Sequence, residues 1–280
     1  MPTTEPLTTV GALSDRLDDP LLRIADVRWY LNEPDRGREE FDAGHIPGAV
    51  FVDLDSHLSA RSGPGRHPLP DRATFAATLG ALGFGDDHHI VAYDDSGGAV
   101  AARLWWMLRW IGHEACSVLD GGLAAWKWAG LDLEMGTSAC PPATLSVGES
   151  LTRTIDRDRL AGALDDFTII DARARERFRG DTEPVDAKAG HIPSARNIPY
   201  AENLAADGRF LPPTLLSARY RAEAAGRDTV VYCGSGVNAC HAALTMTVAG
   251  LDEPTLYPGS WSDWSSTDLP IATGDAEPRP

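Results

Sequence analysis

Gly44-His45-Ile46-Pro47-Gly48-Ala49 returns, 146 residues further on, as Gly190-His191-Ile192-Pro193-Ser194-Ala195. Upstream of these copies, Ile24-Ala25-Asp26-Val27-Arg28 is answered by Ile169-Ile170-Asp171-Ala172-Arg173. Downstream, Val91-Ala92-Tyr93-Asp94 is answered by Val230-Val231-Tyr232-Cys233, and Gly121 to Trp126 by Gly259 to Trp264. Four matches in one order, with offsets that drift slowly, mean a duplicated unit whose copies differ by loop deletions. The chain of 280 residues is therefore expected as two homologous domains, 1–135 and 151–280. Residues 136–150, with Pro141-Pro142 and little apolar periodicity, are expected as the linker.

Each copy alternates short apolar strands with helical patterns. In the first, Leu21 to Val27, Ala49 to Val52, Ile90 to Tyr93 and Ser117 to Leu119 read as strands, and Arg38 to Ala43, Asp71 to Leu82, Gly97 to Ile111 and Gly122 to Ala129 as helices. The second repeats the cycle with strands at Thr168 to Asp171, Thr229 to Tyr232 and Thr255 to Tyr257, and helices at Pro213 to Ala224 and Gly236 to Val248. Such alternation predicts an α/β fold, two tandem domains each with a mostly parallel central sheet flanked by helices. The tail 274–280 is expected to fray.

Composition narrows the partners. Lys plus Arg is 25 and Asp plus Glu 41, a formal charge of −16, which disfavours nucleic acid and anionic membrane surfaces. An acidic protein that acts on an anion must hold it with local donors. No apolar run reaches membrane-spanning length, and Met1 to Ser14 has no signal-peptide pattern. Cys116, Cys140, Cys233 and Cys240 have neither disulfide-framework nor zinc-ligand spacing, so no metal is expected and a reducing cytoplasm is the expected location. Two helical turns between Cys233 and Cys240 put them about 10 Å apart along the axis, beyond disulfide range.

The copies differ where a central strand ends. Ligands of open α/β sheets bind beyond the carboxyl ends of strands, where a loop enters a helix. There the second copy has Cys233-Gly234-Ser235-Gly236-Val237-Asn238, and the first has Asp94-Asp95-Ser96-Gly97-Gly98. A cysteine in this position faces backbone N–H groups and a helix N-terminus, which stabilise a thiolate and a bound anion. Glycines let the backbone curl inward, and Ser235 adds a hydroxyl. The bland alternative is a buried, inert cysteine. A phosphatase of the Cys-x5-Arg type would need arginine at 239, which is alanine.

With the paired Gly-His-Ile-Pro motifs, Asp171-Ala172-Arg173 followed by Arg177-Phe178, the Cys233 to Val237 loop and Gly259-Ser260-Trp261-Ser262-Asp263-Trp264, the chain resembles the tandem-domain rhodanese family. That family comprises thiosulfate and 3-mercaptopyruvate sulfurtransferases. The resemblance implies a silent first domain and a catalytic second one. Cys233 would take a sulfane sulfur as a persulfide, held by the N–H groups of Gly234, Ser235, Gly236 and Val237. Arg177 matches the position that grips the donor's anionic group. Asp55 and His67 match positions that place an acid/base pair with the loop serine, the match to His67 needing a one-residue insertion. Asp171, Arg173, His45 and His191 occur in both copies and read as structural.

The donor stays open between 3-mercaptopyruvate and thiosulfate. The uncharged loop resembles the mercaptopyruvate type and is given more weight. Asp186, nine residues after Arg177, stands where mercaptopyruvate enzymes often carry a second arginine, and Lys188 is the expected substitute. The implied partners are a small anionic sulfur donor and an acceptor that is cyanide, a thiol or a thioredoxin-like dithiol. No cofactor is implied, and the family expectation is a monomer. A non-catalytic binding module and a relay fed by another protein's persulfide are the rival readings.

Overall fold

The apolar runs form two five-stranded sheets in which every strand pair is parallel. The computed structural model describes residues 4–223 and 227–275, and within it the chain falls into two units. The first comprises Met1–Ala60, Pro70–Leu151 and Leu204–Phe210, the second Arg61–Leu69, Thr152–Asn203 and Leu211–Pro280.

In the first unit the strands are β1 (Leu7–Thr8), β2 (Leu22–Asp26), β3 (Ala49–Phe51), β4 (His89–Tyr93) and β5 (Cys116–Leu119), in the order β1-β5-β4-β2-β3. In the second they are β6 (Arg153–Thr154), β7 (Thr168–Asp171), β8 (Arg196–Asn197), β9 (Thr229–Tyr232) and β10 (Thr255–Leu256), in the order β6-β10-β9-β7-β8. The two orders are one permutation, as duplication requires. Strands β2, β4, β7 and β9 end within a residue or two of the runs read from the sequence. The edge strands β1 and β6 have two residues each, too short for any periodicity to show.

The helices follow their local signals. Asp71 caps Arg72–Ala81 by accepting from the N–H groups of Ala73 and Thr74. Pro213 opens Pro213–Glu223, the place where a missing N–H costs nothing; Ala224, expected as its last residue, lies outside the described residues. Trp105 and Trp106 are buried on Ala101–Trp110. One core gathers Ile24, Phe41, Val91, Tyr93 and Trp126, the other Ile169, Phe178, Val230, Tyr232, Trp261 and Trp264. Burying each such side chain contributes about 1.5–3 kcal/mol.

Two stretches depart from the boundaries read in the sequence. Residues 136–150 are laid along the first unit, where Gly136 N–H donates to Asp42, Ala143 to Gly80 and Gly148 to Ile111. Arg61–Leu69, inside the first repeat by sequence, folds into the second unit. Its approach depends on Gly65, at φ +79, where a Cβ would lie 2.4 Å from the Gly259 carbonyl oxygen. Of the tail, 276–280 lie outside the described residues, and Asp275 pairs with Arg179. Among the described residues no helix is long and apolar enough to cross a membrane.

Candidate active site

Strand β9 is the middle of its sheet, and the strand order winds one way from β7 and the other way from β9, so the carboxyl ends of these two parallel strands bound the crevice where this fold class holds ligands. Cys233 directly follows β9, and the short helix Arg175–Arg179 follows β7. Ala172 N–H donates to Tyr232 O at 2.9 Å and ties the two ends together.

Beneath this junction lies a charged frame. Arg173 Nη2 meets Asp171 Oδ2 at 2.6 Å and the Gly190 carbonyl at 2.7 Å, both side chains being buried. His191 stacks on Phe178 and its Nδ1 lies 2.7 Å from the Phe178 carbonyl. The first unit repeats each contact with Asp26, Arg28, Gly44, His45 and Phe41. Both histidines and both Asp-x-Arg pairs thus build the frame.

The cysteine loop is fixed from the far side by residues 257–262. Cys233 N–H donates to Ser260 Oγ at 3.1 Å, while the carbonyls of Cys233 and Gly234 accept from the N–H groups of Trp261 and Ser262 at 2.9 Å each. Gly236 has φ +80, and a Cβ there would lie 2.5 Å from the Pro258 oxygen, so conformation and space both demand glycine. Helix Val237–Val248 starts at once, its N-terminus at the loop. Cys233 is 2% exposed. Cys240 is buried in the first turn of that helix, its thiol donating to the Gly236 carbonyl at 3.2 Å, and none of the four cysteines is in a disulfide.

Ser235 and His67 are brought together, with Oγ 2.9 Å from Nδ1 and both residues buried. The pair shares one proton, whose direction follows from the imidazole tautomer. His67 reaches Ser235 because Arg61–Leu69 belongs to the second unit. Asp55 belongs to the first unit, where its Oδ2 accepts from Trp29 Nε1 at 2.8 Å.

Two guanidinium groups stand over Gly234. A Cβ on that glycine would lie 3.0 Å from Arg66 Nη2 and 3.6 and 3.7 Å from Arg177 Nη1 and Nη2. Arg177 donates from Nε and Nη2 to Glu183 and from Nη2 to Asp186 at 3.1 Å. Arg66 pairs through Nη1 with Asp186, and its N–H donates to Ser262 Oγ at 3.0 Å. Burial pushes Glu183 upward, but the Arg177 hydrogen bond and the N–H groups of Asp186 and Val185 outweigh it and hold the carboxyl below its ordinary value. For Asp186 burial prevails over the pull of Arg66 and Arg177, with Glu183 adding repulsion, and its carboxyl is raised.

The sequence reading missed Arg66 and Glu183. The substitute expected for the second cation, Lys188, is engaged elsewhere: its Nζ donates to the Thr267 carbonyl and lies 3.8 Å from Asp268. The available signal was the acid at 186, which asks for a compensating cation from another part of the chain. Taken together, a buried thiol in a curled loop, a serine–histidine proton pair and two arginines can attack a soft electrophile, hold an anion and move one proton.

A family model described as Rhodanese-like domain matches residues 9–129 and 156–267. The chain is 46% identical over 279 residues to a Pseudomonas aeruginosa protein named a probable 3-mercaptopyruvate sulfurtransferase, covering 96% of this chain and 98% of that one. It is 44% identical over 270 residues to a Mycobacterium tuberculosis protein provisionally named thiosulfate sulfurtransferase SseB, covering 92% and 93%. Among solved structures, the 3-mercaptopyruvate sulfurtransferase from Leishmania major superposes with a TM-score of 0.84 at 32% identity, covering 96% of this chain and 76% of that one.

Proposed function

The chain belongs to the tandem-domain rhodanese family of sulfurtransferases, and from that premise we propose that Cys233 carries sulfur from 3-mercaptopyruvate to a thiophilic acceptor. The observation that carries this reading is the buried Cys233 loop with Ser235 Oγ 2.9 Å from His67 Nδ1. The Cys233 thiolate attacks the donor's sulfur, an S–S bond forms, the C–S bond breaks, and its electron pair leaves on carbon as the enolate of pyruvate. The proton given up by the donor's thiol is returned to that carbon through Ser235 and His67, with Asp55 as a further acid/base group, so that pyruvate departs and a persulfide anion remains. The N–H groups of Gly234, Ser235, Gly236 and Val237 hold that anion. Arg177 binds the donor's carboxylate. Cyanide, a small thiol or a thioredoxin-like dithiol then attacks the outer sulfur and restores the thiolate.

The second domain is the catalytic one in this reading, and the first, with Asp94 in place of the cysteine, is silent. The enzyme works as a monomer in a reducing cytoplasm, which suits four cysteines outside any disulfide. Thiosulfate is the second donor to test, because Asp186 stands where mercaptopyruvate enzymes often carry a second arginine and a relative at 44% identity bears that name. Intact mass decides. Incubation with 3-mercaptopyruvate is expected to add about 32 Da to the wild type and nothing to Cys233→Ser. Faster loading from thiosulfate would reverse the donor preference, and no adduct from either would leave a protein-fed relay or a binding module.

A further inference from the structure

Arg66 holds its guanidinium over the nucleophile's loop with one edge unused. Nη1 is taken by Asp186, but Nε is buried and has no hydrogen-bond partner among the described residues. Nη2, on the same edge as Nε, is the atom 3.0 Å from a Cβ position on Gly234. Nε and Nη2 form the fork that matches two oxygens of a carboxylate. Across Gly234, Arg177 leaves Nη1 without a hydrogen bond among the described residues while Glu183 and Asp186 occupy the rest.

We infer that Arg66 binds the donor's carboxylate, as the second of two guanidinium groups that Asp186 holds side by side. A buried donor left without an acceptor is costly, and a ligand oxygen is the acceptor that Nε lacks. Asp186 belongs to this arrangement as a positioning residue, because it bonds both arginines at once. The acid at 186 and the arginine at 66 are thus one exchange: the cation arrives from Arg61–Leu69, and the carboxylate at 186 orients it. The segment is committed to that place, since Gly65 permits contact with Gly259 and Arg66 N–H is bonded to Ser262.

This inference rests on the sulfurtransferase reading, and one experiment separates the two. The rate of persulfide formation is measured against 3-mercaptopyruvate concentration, with pyruvate as an unreactive competitor, for wild type, Arg66→Ala and Arg66→Lys. With a loading wild type, Arg66→Ala is expected to need at least tenfold more donor for half-maximal rate and to bind pyruvate more weakly by the same factor, at an unchanged melting temperature. Arg66→Lys keeps a charge for Asp186 but has no fork, and is expected to weaken both by about fivefold; it also serves if the alanine variant does not fold. Unchanged half-saturation in a loading enzyme, or a fall in the rate ceiling and melting temperature alone, overturns the role of Arg66 and leaves the sulfurtransferase reading standing. A wild type that does not load overturns both.

Discussion

The two loops that follow the central strands differ in where their anion comes from. In the first unit, Asp94 is fully buried and its carboxylate accepts from the N–H groups of Ser96 and Ala101 at 2.9 Å and of Gly98 and Val100 at 2.8 Å. Burial raises its carboxyl above the ordinary value, against the pull of the four N–H groups. The loop is an anion hole filled by the chain's own side chain. In the second unit the frame below is the same down to the Asp-x-Arg pair and the Phe–His stack, but the residue after the strand is Cys233, so any anion in that hole is a thiolate, a persulfide or a ligand. The frame survives in both copies because the sheet needs it. The chemistry depends on one position and on the cations added around it: Glu40, the residue before Phe41, stands where the second copy has Arg177 before Phe178.

The sharpest way to break this equivalence is to make the second loop like the first. Cys233→Asp is expected to abolish persulfide formation, as Cys233→Ser does, while melting no lower than the serine variant because the new carboxylate fills the hole. Melting several degrees lower would show that the two loops do not present the same donors. The next largest effect is expected at the proton pair. Ser235→Ala or His67→Gln should slow loading from 3-mercaptopyruvate by about 10²–10⁴, whereas loading from thiosulfate, whose leaving sulfite needs no proton on carbon, should fall by less than about tenfold. Equal losses with both donors would remove the pair from proton transfer.

The converse substitutions test the silent copy. Asp94→Ala leaves four N–H groups, three of them in buried hydrogen bonds, without their acceptor and is expected to cost about 2–4 kcal/mol, read as a lower denaturation midpoint, with loading at Cys233 unchanged per folded molecule. Asp94→Cys restores a thiol but in a loop that continues Asp95-Ser96 where the second copy has Gly234-Ser235, and is expected to show one added sulfur by mass, not two. A second sulfur would mean that the loop alone suffices.

How much was legible follows from where each signal sits. The loop could be read because its elements are contiguous: an apolar run, a thiol, two glycines and a helical pattern within about twenty residues. The duplication made the sheets legible as well, and comparing the copies sorted the frame residues from Cys233. Arg177 stood out only through family resemblance, since a cluster of four arginines on a charged stretch looks like solvated surface. Arg66 carried no local signal. It lies in a glycine- and proline-rich segment without periodicity, and its partner Asp186 is 120 residues away. That same segment crosses the repeat boundary, which no pattern within either copy could reveal.

The smallest expected effect is the pH dependence of donor binding, and it tests the cation cluster that only the second copy has. Asp186 faces Arg66, Arg177, Arg173 and Glu183, and burial raises its carboxyl above the ordinary aspartate range. Deprotonated, it offsets the charge of the two guanidinium groups that bind the donor; protonated, it does not. Affinity for a carboxylate should therefore rise a few-fold as pH falls through the raised value and settle to a lower plateau above it. Glu183, which bonds Arg177 as well, is held below its ordinary value. Pyruvate binding, measured by calorimetry, reads this without any contribution from turnover or from the Ser235–His67 proton transfer. Asp186→Asn should remove the slope, and a slope that persists in that variant would assign the titration to another group and detach Asp186 from donor binding.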